Sequence, residues 1–167
     1  MSSLTHTLYI ACHPEELWAA LTEGEQTRHW YMSARVESSF ETEAPIRYMA
    51  RVQPGSEEYS DPEPVVGEAP EPMKAAIVGR ILENQPEALL RYSFRFTDLD
   101  EGESTVSWRL STPADSINVV RLDLEHELPE GCEQTRARAQ MCWPMMLSGL
   151  KTWLETSKAL RLRGVAG

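Results

Sequence analysis

Apolar and polar residues alternate along most of this chain, and the alternation gives way to helical spacing near each end. Leu4, His6, Leu8, Ile10 and Cys12 share one parity, and Thr5, Thr7, Tyr9 and Ala11 the other, which predicts a strand over residues 4–12. Pro14 fits a first helical position, Glu15 and Glu16 suit the positive end of a helix dipole, and Leu17, Trp18 and Leu21 form a buried side. Thr22-Glu23-Gly24 ends that helix, and a second short one is predicted over 25–30. Ala34, Val36, Ser38 and Phe40 then begin a run of strands, joined through a loop at 41–45 to Ile46, Tyr48, Ala50 and Val52. Residues 75–83 give a further strand. Leu90, Tyr92, Phe94 and Phe96, then Val106, Trp108 and Leu110, then Val120, Leu122, Leu124 and His126 supply the apolar parities of three more, with a turn at 98–103. Each strand has one apolar and one polar face, as in an antiparallel sheet covered on one side.

The cover comes from the end of the chain. Trp143, Leu147, Leu150 and Leu154 recur at intervals of four, three and four, the stripe of a long helix over 143–156. Met141 and Met145 are placed beside that stripe, and Pro144 either opens a helical segment or kinks it. A strand, two short helices, a β-meander and one long helix make an α+β chain in which a curved antiparallel sheet wraps round the C-terminal helix. Such a grip leaves room for a cavity. One domain over residues 1–167 is expected, large enough to bury about two-thirds of its unfolded surface. The exception to the pattern is 53–74, where Pro54, Pro62, Pro64, Pro70 and Pro72 stand among Glu57, Glu58, Asp61, Glu63, Glu68 and Glu71. This reads as a solvated loop, with a lid over the cavity as the functional alternative.

The segments resemble, in order and spacing, a known family. Pro14-Glu15-Glu16-Leu17-Trp18-Ala19-Ala20-Leu21-Thr22 and Thr27-Arg28-His29-Trp30-Tyr31 are similar to the opening of the START-like (SRPBCC) superfamily. More narrowly they resemble its AHSA-type branch, named after the activator of the heat-shock-protein-90 ATPase. Gly79-Arg80-Ile81-Leu82-Glu83 with Pro86 and Leu89-Leu90-Arg91-Tyr92 matches the central pattern of that branch. Residues 104–110, the strand closing at His126, and Trp143 with Met146-Leu147 and Leu150-Lys151 resemble its later strands and closing helix. The resemblance covers nearly the whole chain and implies the helix-grip fold, also known as Bet v-like. It also implies three candidate functions: binding an apolar or aromatic metabolite or lipid, assisting a chaperone through the surface, or cyclase- or hydrolase-type catalysis. The length of the acidic, proline-rich stretch and Pro144 directly after Trp143 depart from the family pattern.

Charge narrows the partners. Sixteen basic and 26 acidic residues leave a net charge of −10, which disfavours phosphate backbones and anionic membrane surfaces. No apolar run approaches the roughly 18 residues of a membrane span, and no secretory signal is read at the N-terminus, so the cytoplasm is the expected location. Cys12, Cys132 and Cys142 form no metal-knuckle spacing, and Cys12 and Cys142 read as small core hydrophobes. His6, His13, His29 and His126 are scattered without carboxylates at ligand spacing, so neither metal nor cofactor is expected.

If the alternation holds, Tyr48, Tyr92, Phe94, Trp108, Met141 and Met145 line the inner space, with Trp30, Tyr31 and Met32 at its rim. These are equally ordinary core residues. His126 shares the inward parity and is the one candidate acid or base. Its alternative is a structural histidine bonded to a backbone carbonyl or a tyrosine. Gly-x-Ser-x-Gly, phosphate-cradling and His-Glu-x-x-His signatures are missing. The expected function is non-enzymatic binding of a small apolar or aromatic ligand, with Trp30, Tyr48, Tyr92, Phe94, Trp108, His126, Met141 and Met145 as the ligand-binding set. A chaperone partner is the first alternative and an enzyme using His126 the second. Monomer and homodimer both stay open.

Overall fold

Alternating parity becomes a single antiparallel sheet. The structure, a computed structural model, describes residues 2–52, 73–114, 116 and 118–160. In chain order the elements are β1 (Ser2–Ile10), α1 (Pro14–Thr22), α2 (Gly24–Thr27), β2 (Arg35–Glu37), β3 (Pro45–Arg51), β4 (Met73–Gln85), β5 (Leu89–Phe96), β6 (Ser104–Ser111), β7 (Val120–Leu128) and α3 (Glu133–Thr156). The seven strands run in the order β1-β7-β6-β5-β4-β3-β2, every neighbouring pair antiparallel. Only β1 crosses the sheet to reach its partner: Leu4 opposes His126 and Ile10 opposes Val120. The helices α1 and α2 fill that crossover, and α3 lies across the covered face. This is the helix-grip fold.

The sheet curves where its ladders slip. Register shifts fall between Tyr48 and Met49 and between Ile81 and Glu83, and bulges of this kind bend and twist a strand. At Gly79 the approach is closer still, since a Cβ there would lie 1.7 Å from the Ser93 carbonyl oxygen. Only glycine lets β4 and β5 come together at that point, and the Ser93 hydroxyl takes up the neighbouring Arg80 N–H at 2.9 Å.

Beneath the curve, Ile10, Leu17, Ile46, Ile81, Leu90, Val106, Leu122, Leu124, Trp143 and Leu150 belong to one buried cluster. Fully burying each such side chain contributes about 1.5–3 kcal/mol. The ends of α3 are tied to the rest by side chains. At its start the Glu101 carboxylate, from the β5–β6 turn, accepts the backbone N–H of Gln134 at 2.9 Å and of Thr135 at 2.7 Å. It thus satisfies donors that the first turn cannot. At its end Trp153 stacks on His29 with ring centroids 4.0 Å apart and donates its indole N–H to Gln26 at 2.8 Å.

Three expectations change. The long helix begins ten residues before Trp143, at Glu133, because its first turns bury only Thr135 and Ala139 and so carry no apolar stripe. Pro144 therefore lies inside the helix rather than opening it, on the exposed side, and Gln140, whose carbonyl loses its helical partner, is an exposed residue too. Met73 and Lys74 belong to β4, not to the proline-rich loop, and the rest of that stretch, with the lid reading, lies outside the described residues.

Candidate functional site

A cavity of about 300 Å³ remains between α3 and the β3–β5 part of the sheet. Tyr31, Met32 and Ala34 close it from the segment after α2; Tyr48 and Ala50 come from β3, Ile77 from β4, and Phe94 and Phe96 from β5. On the helix side stand Arg138, Ala139, Cys142, Trp143 and Met146. The volume is at the lower end of the range for small-molecule pockets.

Its inner wall is aromatic. Tyr31 and Tyr48 stack with centroids 4.2 Å apart and planes inclined by 17°, and Trp143 meets Tyr31 edge-on at 6.1 Å. The Tyr48 and Tyr92 hydroxyls are 3.0 Å apart, and the Trp108 indole N–H donates to the Tyr92 oxygen at 3.0 Å. Burial raises the pKa of all three phenols, that of Tyr92 to about 12, so they remain O–H donors at any ordinary pH. Among the described residues the Tyr31 hydroxyl is buried without a hydrogen-bond partner. It is held there by unusual backbone: Met32 and Ser33, the next two residues, have φ of 48° and 62°. Left-handed backbone at non-glycine residues is strained and concentrates at functional segments.

Charge is confined to the mouth. Arg138 grips Asp98 with two bonds, 2.8 and 3.0 Å, while its guanidinium lies 4.5 Å from the centre of the Phe96 ring. Those hydrogen bonds hold the Asp98 carboxyl below the usual carboxylate range. Lys74 is the other charged residue of the lining. Among the described residues no three histidine, cysteine or acidic side chains cluster as a metal site would need.

The residues expected at this site divide sharply. Tyr48 and Phe94 line the cavity. Trp30 does not, since it turns towards α1 and donates its indole N–H to the Ala20 carbonyl at 2.9 Å. Tyr92 and Trp108 are fully buried in the packed core and do not reach the lining. Met141 and Met145 face outwards, 79% and 37% exposed. Each is two positions from Trp143, which at about 100° per residue turns it roughly 200° away from the covered face.

His126 points inward, yet it sits behind Phe94 and Trp143 rather than in the cavity: it is wholly buried, with its ring 4.9 Å from Phe94 and 5.9 Å from Trp143. Both nitrogens are occupied. Trp143 Nε1–H donates to Nδ1 at 3.1 Å, which places the ring proton on Nε2, 2.7 Å from Ser104 Oγ. The Ser104 hydroxyl is then left to donate to the Phe94 carbonyl at 3.2 Å. The chain of donors is complete for a neutral imidazole and has no place for a second proton. Burial lowers the pKa to about 4. Its partners are Ser104 and Trp143 rather than the carbonyl or tyrosine expected for it, and it does not line the cavity.

Sequence reasoning placed Tyr31 and Met32 at a rim; Met32, 58% exposed, is there, whereas Tyr31 is buried in the inner wall, and Arg138, Cys142 and Met146 were missed. Their four-residue spacing is legible once the helix is extended back to Glu133. Cys142 is a half-buried cavity residue rather than a core hydrophobe, while Cys12 is buried.

Comparison with known proteins places the chain in a family. The family model described as "Activator of Hsp90 ATPase homolog 1-like protein" matches residues 11–155. No curated protein matches the chain by sequence. Among solved structures, the Aha1 dimer from Colwellia psychrerythraea is similar at a TM-score of 0.67 and 16% identity, over 95% of this chain and 100% of that one. An HSP90 activator from Plasmodium falciparum follows at 0.64 and 17%, over 92% and 96%. A conserved protein of unknown function from Enterococcus faecalis superposes at 0.66 and 15% identity, over 97% of this chain and 76% of its own. At these identities the likenesses speak for the fold, and with the family match they lead to one conclusion: the chain belongs to the activator of Hsp90 ATPase homolog 1-like family.

Proposed function

We propose that this protein binds a small apolar or aromatic molecule, without turning it over, in the cavity between α3 and the sheet. The observation that carries the reading is the space of about 300 Å³ between α3 and the sheet, walled by Tyr31, Tyr48, Phe94, Phe96 and Trp143. Interiors pack to crystal-like density, so an empty volume of this size forfeits contacts that a ligand restores. Apolar burial supplies the affinity, and the phenolic O–H groups fix orientation. Binding without turnover is favoured because His126, the one candidate acid or base, spends both nitrogens on Trp143 and Ser104. Native mass spectrometry of the purified protein, followed by denaturing extraction, tests the reading. A stoichiometric small molecule is expected. A protein that is bare and also ignores apolar fluorescent probes contradicts it.

Family membership favours a second reading, association with a heat-shock-protein-90 chaperone, as for the similar HSP90 activator from Plasmodium falciparum. It requires recognition through the surface, and the exposed Met141, Pro144 and Met145 on α3 are where an apolar contact would form. Stimulation of a purified chaperone's ATPase by this chain would favour it over ligand binding. As a homodimer, of the kind named for the Colwellia psychrerythraea protein, the chain would show a concentration-dependent mass in solution.

A further inference from the structure

We infer that the ligand is a neutral, planar aromatic carrying a hydrogen-bond acceptor of carbonyl type, received by the Tyr31 hydroxyl; the inference rests on the cavity reading above. Buried hydroxyls in folded proteins nearly always have a partner, and one without is costly. Tyr31 is 2% exposed, lines the cavity, and has none. Tyr48 and Tyr92 share a hydrogen bond and Trp108 donates to the Tyr92 oxygen, so Tyr31 is the phenol of this group left without a partner among the described residues. The unpaired polar group of the inner wall is thus the Tyr31 O–H, and the complement of its hydrogen is an acceptor.

Two further features narrow the class. The stacked Tyr31 and Tyr48 rings, with Phe94 and Trp143 around them, present faces and edges suited to another flat ring. The cations are at the mouth, where Arg138 is already held by Asp98, so an anionic group deep in the cavity would be left uncompensated. The strained backbone at Met32 and Ser33 is consistent with a segment whose position is set by the ligand it serves.

Removing the Tyr31 hydroxyl separates this from a packing role. The test titrates wild-type protein and Tyr31→Phe with prodan, a neutral naphthyl ketone whose emission reports hydrogen bonding at its carbonyl. Naphthalene, which has the rings without the ketone, and the anionic anilinonaphthalene sulfonate are titrated alongside. The expected result is prodan binding about five- to tenfold weaker in the variant, with bluer emission, and naphthalene binding unchanged. The unliganded variant should melt no lower than wild type, because the lost O–H had no partner to lose. Equal prodan affinity in both proteins overturns the inference while leaving the cavity reading intact, as does an equal loss for prodan and naphthalene. Tighter binding of the sulfonate than of prodan overturns the neutral class. Failure of all three probes to bind wild type removes the cavity reading itself.

Discussion

His126 shows how one buried side chain can report on the whole core. Its pKa is about 4 in the fold, against 6.5 for an ordinary histidine, so the unfolded chain binds the extra proton between those values. Stability therefore rises with pH across that window: the contribution is complete above about 6.5 and is lost as pH falls towards 4, about 3 kcal/mol in all. Urea unfolding of wild type and His126→Gln between pH 7 and 4 checks this, with the variant's pH slope expected to be smaller by about one proton. An unchanged slope would mean that the ring is charged or exposed. At pH 7, His126→Ala should cost about 2–4 kcal/mol, since it orphans Trp143 Nε1–H and opens a hole. Parity in β7 foretold that this residue faces inward. Which atoms would meet it was not legible, because Ser104 and Trp143 are 22 and 17 residues away in sequence.

Between elements, the fold depends on a few contacts that local pattern does not announce. Gly79→Ala places a Cβ against the Ser93 carbonyl, and β4 and β5 must part to admit it. The expected loss is more than about 3 kcal/mol, read by chemical denaturation. Glu101→Gln should leave the sheet intact while loosening the start of α3. Hydrogen exchange at the Gln134 and Thr135 amides is the direct measure, and faster exchange there than elsewhere in α3 is the expected outcome. The strands were readable from sequence because a sheet covered on one face must alternate. The first turns of α3 were not, since a helix lying mostly in water has no stripe to read, and the truncated helix hid Arg138, Cys142 and Met146. Met141 and Met145 are exposed for a related reason: two residues from Trp143 in sequence is the opposite side of the helix.

At the scale of the molecule, the curved sheet and α3 together leave space that neither would leave alone. The fold was legible from order and spacing of elements, but an open cavity was not, because only side-chain packing decides whether a grip closes on itself. A ligand seated in this space is excluded once the space is filled. Ala50 lines the cavity from β3, and Ala50→Phe puts a ring into the open volume. Prodan titrations followed by tryptophan emission, with Trp143 in the cavity wall as the reporter, compare this variant with wild type. Saturable binding by wild type is expected, and at least about tenfold weaker binding by Ala50→Phe, with an unchanged far-ultraviolet circular dichroism spectrum. Equal affinity in a folded variant would put the ligand somewhere other than this cavity and contradict the account.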